Sequence, residues 1–85
     1  MLRVTVMSGP QDGLEVMVPG AELRAGPSPG SDLCIPHDPT IRPEGAVIRL
    51  EGALITIHHG EDTRCIPPGE LFLLGRTWLK ALGEA

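Results

Sequence analysis

Ala46-Val47-Ile48-Arg49-Leu50-Glu51-Gly52-Ala53-Leu54-Ile55-Thr56-Ile57 decides the fold class of this chain. Two apolar-rich runs flank a Glu51-Gly52 pair. Side chains of like character recur at alternate positions: Ile48 and Leu50 around Arg49, then Ile55 and Ile57 around Thr56. A helix brings every third or fourth residue to one face, and a strand brings every second. The stretch therefore predicts a β-hairpin with a tight two-residue turn at Glu51-Gly52.

The same period continues outward in both directions. Leu2-Arg3-Val4-Thr5-Val6 alternates as a half-buried strand does. Ser8-Gly9-Pro10-Gln11-Asp12-Gly13 is turn chemistry throughout. Leu14, Val16 and Val18 mark a second strand, with Glu15 and Met17 on its other face. Glu22–Ala25 is a third, and 26–31 is a loop. Asp32–Ile35 is a short strand that points Leu33 and Ile35 inward. Pro36, Pro39 and Pro43 make 36–45 a rigid connection, because each fixes φ and removes a donor. Downstream, 58–62 reads as a loop and Thr63–Ile66 as an edge strand. Glu70–Leu74, apolar on both faces, reads as a central strand. Residues 77–82 fit a strand or one helical turn around Trp78, Leu79 and Leu82. The tight connection at Gly75 favours strand.

About nine short strands with closely spaced turns predict an all-β antiparallel sandwich or small barrel, with helix under about 15% of residues. The expected core is Leu14, Val16, Leu33, Ile35, Ile48, Ile55, Ile57, Leu71 and Leu73. If Val4, Val16, Leu33 and Ile48 face inward, then Met7, Met17, Cys34 and Val47 face outward. Met17 and Val47 then mark an outer sheet face expected to dock a partner or to self-associate.

Composition narrows the function. Eighty-five residues make one domain, spanning 1–85. Eleven glycines and nine prolines exclude long helices. No apolar run approaches the ~18–20 residues of a membrane span. Met1–Pro10 lacks the continuous apolar stretch of a secretory signal, so the expected location is cytoplasmic. A net charge of −4, seven Lys and Arg, and only two aromatics, Phe72 and Trp78, argue against nucleic acid as a partner. Cys34 and Cys65 form no Cys-x-x-Cys unit, and two reduced thiols are expected. No His or Cys pair, including His37, His58 and His59, has metal-ligand spacing, so no metal or cofactor is expected. Ser8, Ser28 and Ser31 all sit in turns with no base-and-orienter set, and enzymatic activity is not expected.

Four segments carry a resemblance. They are Leu2–Val18 with Gly9-Pro10 and Gly13 between strands; Leu23-Arg24-Ala25-Gly26-Pro27 through Asp32-Leu33-Cys34-Ile35; Asp38-Pro39-Thr40-Ile41 followed by Ala46-Val47-Ile48; and Pro68-Gly69-Glu70-Leu71-Phe72-Leu73-Leu74-Gly75. Their order and spacing, over roughly residues 2–82, resemble the forkhead-associated (FHA) domain. The resemblance implies a β-sandwich that recognises protein partners, in its usual form through phosphothreonine. It also implies where a phosphate would sit: an Arg after the first motif glycine, a Ser-x-x-His, and an Asn between later strands. Those positions here hold Pro27, then Arg42 and Gly45, and no Asn occurs in the chain. The expectation is a non-catalytic protein-interaction module that no longer depends on phosphothreonine. The alternative is a residual phosphopeptide or anion receptor built on loop arginines, Arg42 foremost among Arg24, Arg42, Arg64 and Arg76.

Overall fold

The computed structural model describes residues 1–83. Nine strands follow in chain order: β1 Leu2–Val6, β2 Glu15–Val18, β3 Glu22–Gly26, β4 Leu33–Cys34, β5 Ala46–Glu51, β6 Leu54–His59, β7 Asp62–Ile66, β8 Leu71–Leu74 and β9 Thr77–Gly83. The one helical element among the described residues is a 3-10 turn at Gly9–Gln11. The strands form two sheets, β2-β1-β9-β8 and β4-β3-β5-β6-β7. All strand pairs are antiparallel except β3 with β4, which run parallel.

The interior is built largely by alternation, although β6 also buries Thr56 between Ile55 and Ile57. Leu2, Val4 and Val6 of β1, with Leu79 and Ala81 of β9, meet Leu23 of β3, Ile48 of β5, and Ile55 and Ile57 of β6. Each buried aliphatic side chain contributes about 1.5–3 kcal/mol of transfer free energy. Residues 77–83 are strand. β9 lies between β1 and β8, which leaves Trp78 on the outer face at 45% exposure.

Three hairpins close on two-residue turns, Gly52-Ala53, Gly60-Glu61 and Gly75-Arg76. In each the glycine comes first and has positive φ, +61°, +63° and +61° respectively. This is the requirement of a II′ turn, whose twist matches the flanking strands. The turn expected at Glu51-Gly52 is therefore displaced by one residue, with Glu51 paired to Leu54. The loop expected at 58–62 shrinks to Gly60-Glu61, and His58 and His59 belong to β6.

β8 departs most from expectation. It is an outer strand of the four-stranded sheet rather than a central one. Phe72 and Leu74 are buried, while Leu71 and Leu73 are exposed. Pairing of Phe72 with Leu79 fixes this parity, and Leu-Phe-Leu-Leu carries no alternation from which to read it. Leu14 is likewise exposed, because it precedes β2 in the turn that follows the 3-10 segment. Val16 is half-buried against the core. Leu71→Ala is accordingly expected to shift stability by less than about 1 kcal/mol in urea denaturation.

Candidate functional site

β4 and β5 belong to the same sheet, and Asp38 ties the connection between them to the other sheet. Asp38 as a whole is 3% exposed. One carboxylate oxygen accepts the backbone N–H of Thr40 at 2.9 Å and the Thr40 hydroxyl. The other accepts the backbone N–H of Arg76 at 2.8 Å and the Thr77 hydroxyl at 2.7 Å. Burial alone would push this carboxyl up; the hydrogen bonds from Thr40, Thr77 and the Arg76 amide outweigh burial and bring it down to about 2. Asp38 thus pins the 36–45 segment to the β8–β9 turn. The sequence carries half the signal, because Asp38-Pro39-Thr40 has the spacing of an Asx turn. The other half comes from residues far along the chain.

With that segment fixed, three connections converge at one end of the sandwich: β3 to β4, β4 to β5, and the β6–β7 turn. Gly26 and Gly45 pack backbone to backbone. A Cβ on Gly45 would lie 2.6 Å from the Ala25 carbonyl oxygen, and one on Gly26 would lie 2.8 Å from the Gly45 Cα. Gly45 also has φ +77°. No L side chain fits there without a backbone shift.

Arg42 is exposed and turned toward the β6–β7 turn. Its backbone N–H donates to His59 Nε2 at 3.0 Å. Its guanidinium lies over Gly60, in the space that a side chain at that position would use. It stands 3.6 Å from Glu44. Pro27 follows Gly26 and offers no donor; its carbonyl accepts the Cys34 thiol at 3.6 Å. Beside these loops lie cavities of about 300 and 290 Å³. Glu22, Arg24, Asp32 and Val47 line the first, and Arg24, Ser28, Ser31 and Glu44 the second. Two carboxylates face one guanidinium around the first cavity, and Arg24 and Glu44 are matched one to one around the second.

The structure therefore places Gly45 against Gly26, which precedes Pro27, and Arg42 against the β6–β7 turn at Gly60. Met17 and Val47 do not share a surface. Met17 is on β2 of the four-stranded sheet, paired with Arg3, and Val47 is on β5 of the other sheet, between Arg24 and His58. One face carrying both is excluded by topology, because parity within a strand says nothing about which sheet the strand joins. Cys34 and Cys65 are unpaired and sit on β4 and β7, the two edges of the five-stranded sheet. Four strand spacings of about 4.8 Å separate those edges. That exceeds the roughly 7 Å limit of a disulfide. Among the described residues, no three His, Cys, Asp or Glu side chains come together as metal ligands. No helix among them is long and apolar enough to cross a membrane.

No protein-family model matches this sequence, and no curated protein matches it. Solved structures do. The chain is similar to the FHA domain of the CT664 protein from Chlamydia trachomatis, with a TM-score of 0.75 and 17% identity, covering 99% of this chain and 98% of that one. It is similar to the FhaA FHA domain, solved in complex with the intracellular domain of Rv3910, with a TM-score of 0.72 and 12% identity over 95% and 99% of the two chains. A Salmonella type III secretion system protein matches with a TM-score of 0.65 and 13% identity, over 99% and 96%. The fold is that of an FHA-like β-sandwich.

Proposed function

We propose that residues 1–85 form a single FHA-like protein-docking module that binds its partner without reading phosphothreonine. The observation that carries this reading is the backbone contact of Gly45 with Ala25 and Gly26. At the position where the family resemblance places a loop-bracing His, the chain has closed the space for any side chain. Pro27 removes the cation and the donor expected beside it. Arg42 is engaged with Glu44 and covers Gly60. A dianionic phosphate needs several charge-assisted donors held in place. Arg42 alone does not supply them.

The solved neighbours support a protein as the partner. The FhaA domain was solved with the intracellular domain of Rv3910, and the Salmonella match is a type III secretion system protein. Assembly into a larger protein complex is the role proposed here. No catalysis, cofactor or nucleic acid enters it. The unpaired thiols, too far apart to bridge, suit a cytoplasmic location.

Titration with a phosphothreonine peptide library, followed by amide chemical shifts, tests the reading. The expected dissociation constant is above about 1 mM, weaker than about −4 kcal/mol. Micromolar binding that vanishes on dephosphorylation and maps to Arg42 would instead establish the residual anion receptor.

A further inference from the structure

Both outer sheet faces carry ion-paired charges together with cations that have no ion pair among the described residues, Arg24 of β3 being one on the five-stranded face. On the five-stranded face, Arg49 reaches Glu22 at 2.5 Å and Glu51 at 3.6 Å. On the four-stranded face, Glu15 is engaged by Arg3 at 4.0 Å and by the Thr5 hydroxyl at 3.3 Å. Lys80 and Arg76 have no ion-pair partner among the described residues. Lys80 is nonetheless half-buried, its stem lying between the strand positions of Thr5 and Leu71.

The same face is apolar where it should be polar. Leu73 lies directly opposite Trp78, and Leu71 opposite Lys80. Leu71, Leu73 and Trp78 are all exposed. The solvated side of an antiparallel sheet normally carries polar residues. Trp78 and Arg76 also line a cavity of about 370 Å³ with Ser8 and His37. Asp38 borders that cavity, but both its oxygens are occupied by Thr40, Thr77 and the Arg76 amide. The surface thus offers an apolar strip next to two unmatched cations.

We propose that this face docks an acidic amphipathic segment of a partner protein. Its apolar side chains cover Leu71, Leu73 and Trp78, and its carboxylates meet Lys80 and Arg76. The inference rests on the reading of the chain as a protein-docking module and specifies where that docking occurs. Charge selects the occupant. A two-fold pairing of the face with itself would set unmatched cations against unmatched cations, whereas an acidic segment satisfies them.

Trp78 is the only tryptophan in the chain, so its emission reports on this face directly. The probe is a short synthetic peptide of Glu and Leu patterned as an amphipathic helix, titrated into the full chain beside a Lys-for-Glu counterpart. The expected result is a saturable blue shift with the acidic peptide only, with amide shifts centred on β8 and β9. The double variant Arg76→Glu, Lys80→Glu is expected to weaken it at least about tenfold, with an unchanged circular dichroism spectrum. Leu71→Glu, at an exposed position, provides a second variant should the first misfold, and the same loss is expected. No saturable shift, an equal shift from the Lys peptide, or amide shifts centred on residues 27–45 would overturn the proposal. So would dimerisation of the free chain through this face in light scattering. A native partner that holds the double variant as tightly as the unaltered chain would overturn the surface and leave the docking reading intact. A native partner released by phosphatase would overturn the docking reading itself.

Discussion

Replacing Asp38 by alanine is expected to destabilise the domain by about 3–5 kcal/mol, a large part of the margin of a chain this size. The substitution removes one carboxylate and strands four donors: the Thr40 and Arg76 amides and the Thr40 and Thr77 hydroxyls. A buried donor left without an acceptor costs about 1–3 kcal/mol, and partial access to water moderates the sum. The same group sets an acid limit. Its pKa is lowered from 3.8 to about 2 on folding. A depressed carboxyl stabilises the folded state fully above its unfolded value and loses that contribution as pH falls through the folded one. About 2 kcal/mol should therefore disappear between roughly pH 5 and pH 2. Urea denaturation across that range should show the slope in the unaltered chain. Asp38→Ala should show a shallower one, and an equal slope in both would contradict the assignment.

Gly45→His is expected to cost about 2–4 kcal/mol and to create no phosphothreonine site. Positive φ costs a non-glycine residue about 1–2 kcal/mol. The approach of a Cβ to the Ala25 carbonyl oxygen, at 2.6 Å, forces a further shift where β3 enters its loop. This variant places a His at the position where the FHA resemblance puts a loop-bracing one. Thermal denaturation and peptide titration on the same sample decide it. A stable Gly45→His chain that gains micromolar phosphopeptide affinity would show that the backbone accommodates the arrangement the resemblance implies.

The hairpin around Glu51-Gly52 was legible because Ile48, Leu50, Ile55 and Ile57 alternate with polar residues, and only the strand period accounts for that. Its turn lies one residue later, at Gly52-Ala53, because a II′ turn takes its glycine first. β8 was legible as a strand but not in its parity or place. Leu71, Phe72, Leu73 and Leu74 are all apolar, and pairing to β9 alone decides which of them face inward. The separation of Met17 from Val47 is also topological. Period two assigns each to an outer face, and strand order then puts the two faces on opposite sides of the sandwich.

The candidate site was readable as positions, since Pro27, Arg42 and Gly45 follow from motif spacing. Its geometry was not. The closure of Gly45 on Ala25 depends on how β3 meets the following loop, and the Asp38 anchor depends on Arg76 and Thr77 on the opposite sheet. Contacts between residues so far apart in sequence leave no local pattern.

The central claim is that partner binding is independent of phosphothreonine. Capture of the partner from the native host extract on the immobilised chain, with and without prior phosphatase treatment, tests it most directly. Phosphothreonine-independent docking predicts the same protein retained in equal amount from both extracts. Loss of that protein after phosphatase, and its displacement from the untreated extract by a phosphothreonine peptide derived from it, would contradict phosphothreonine-independent docking.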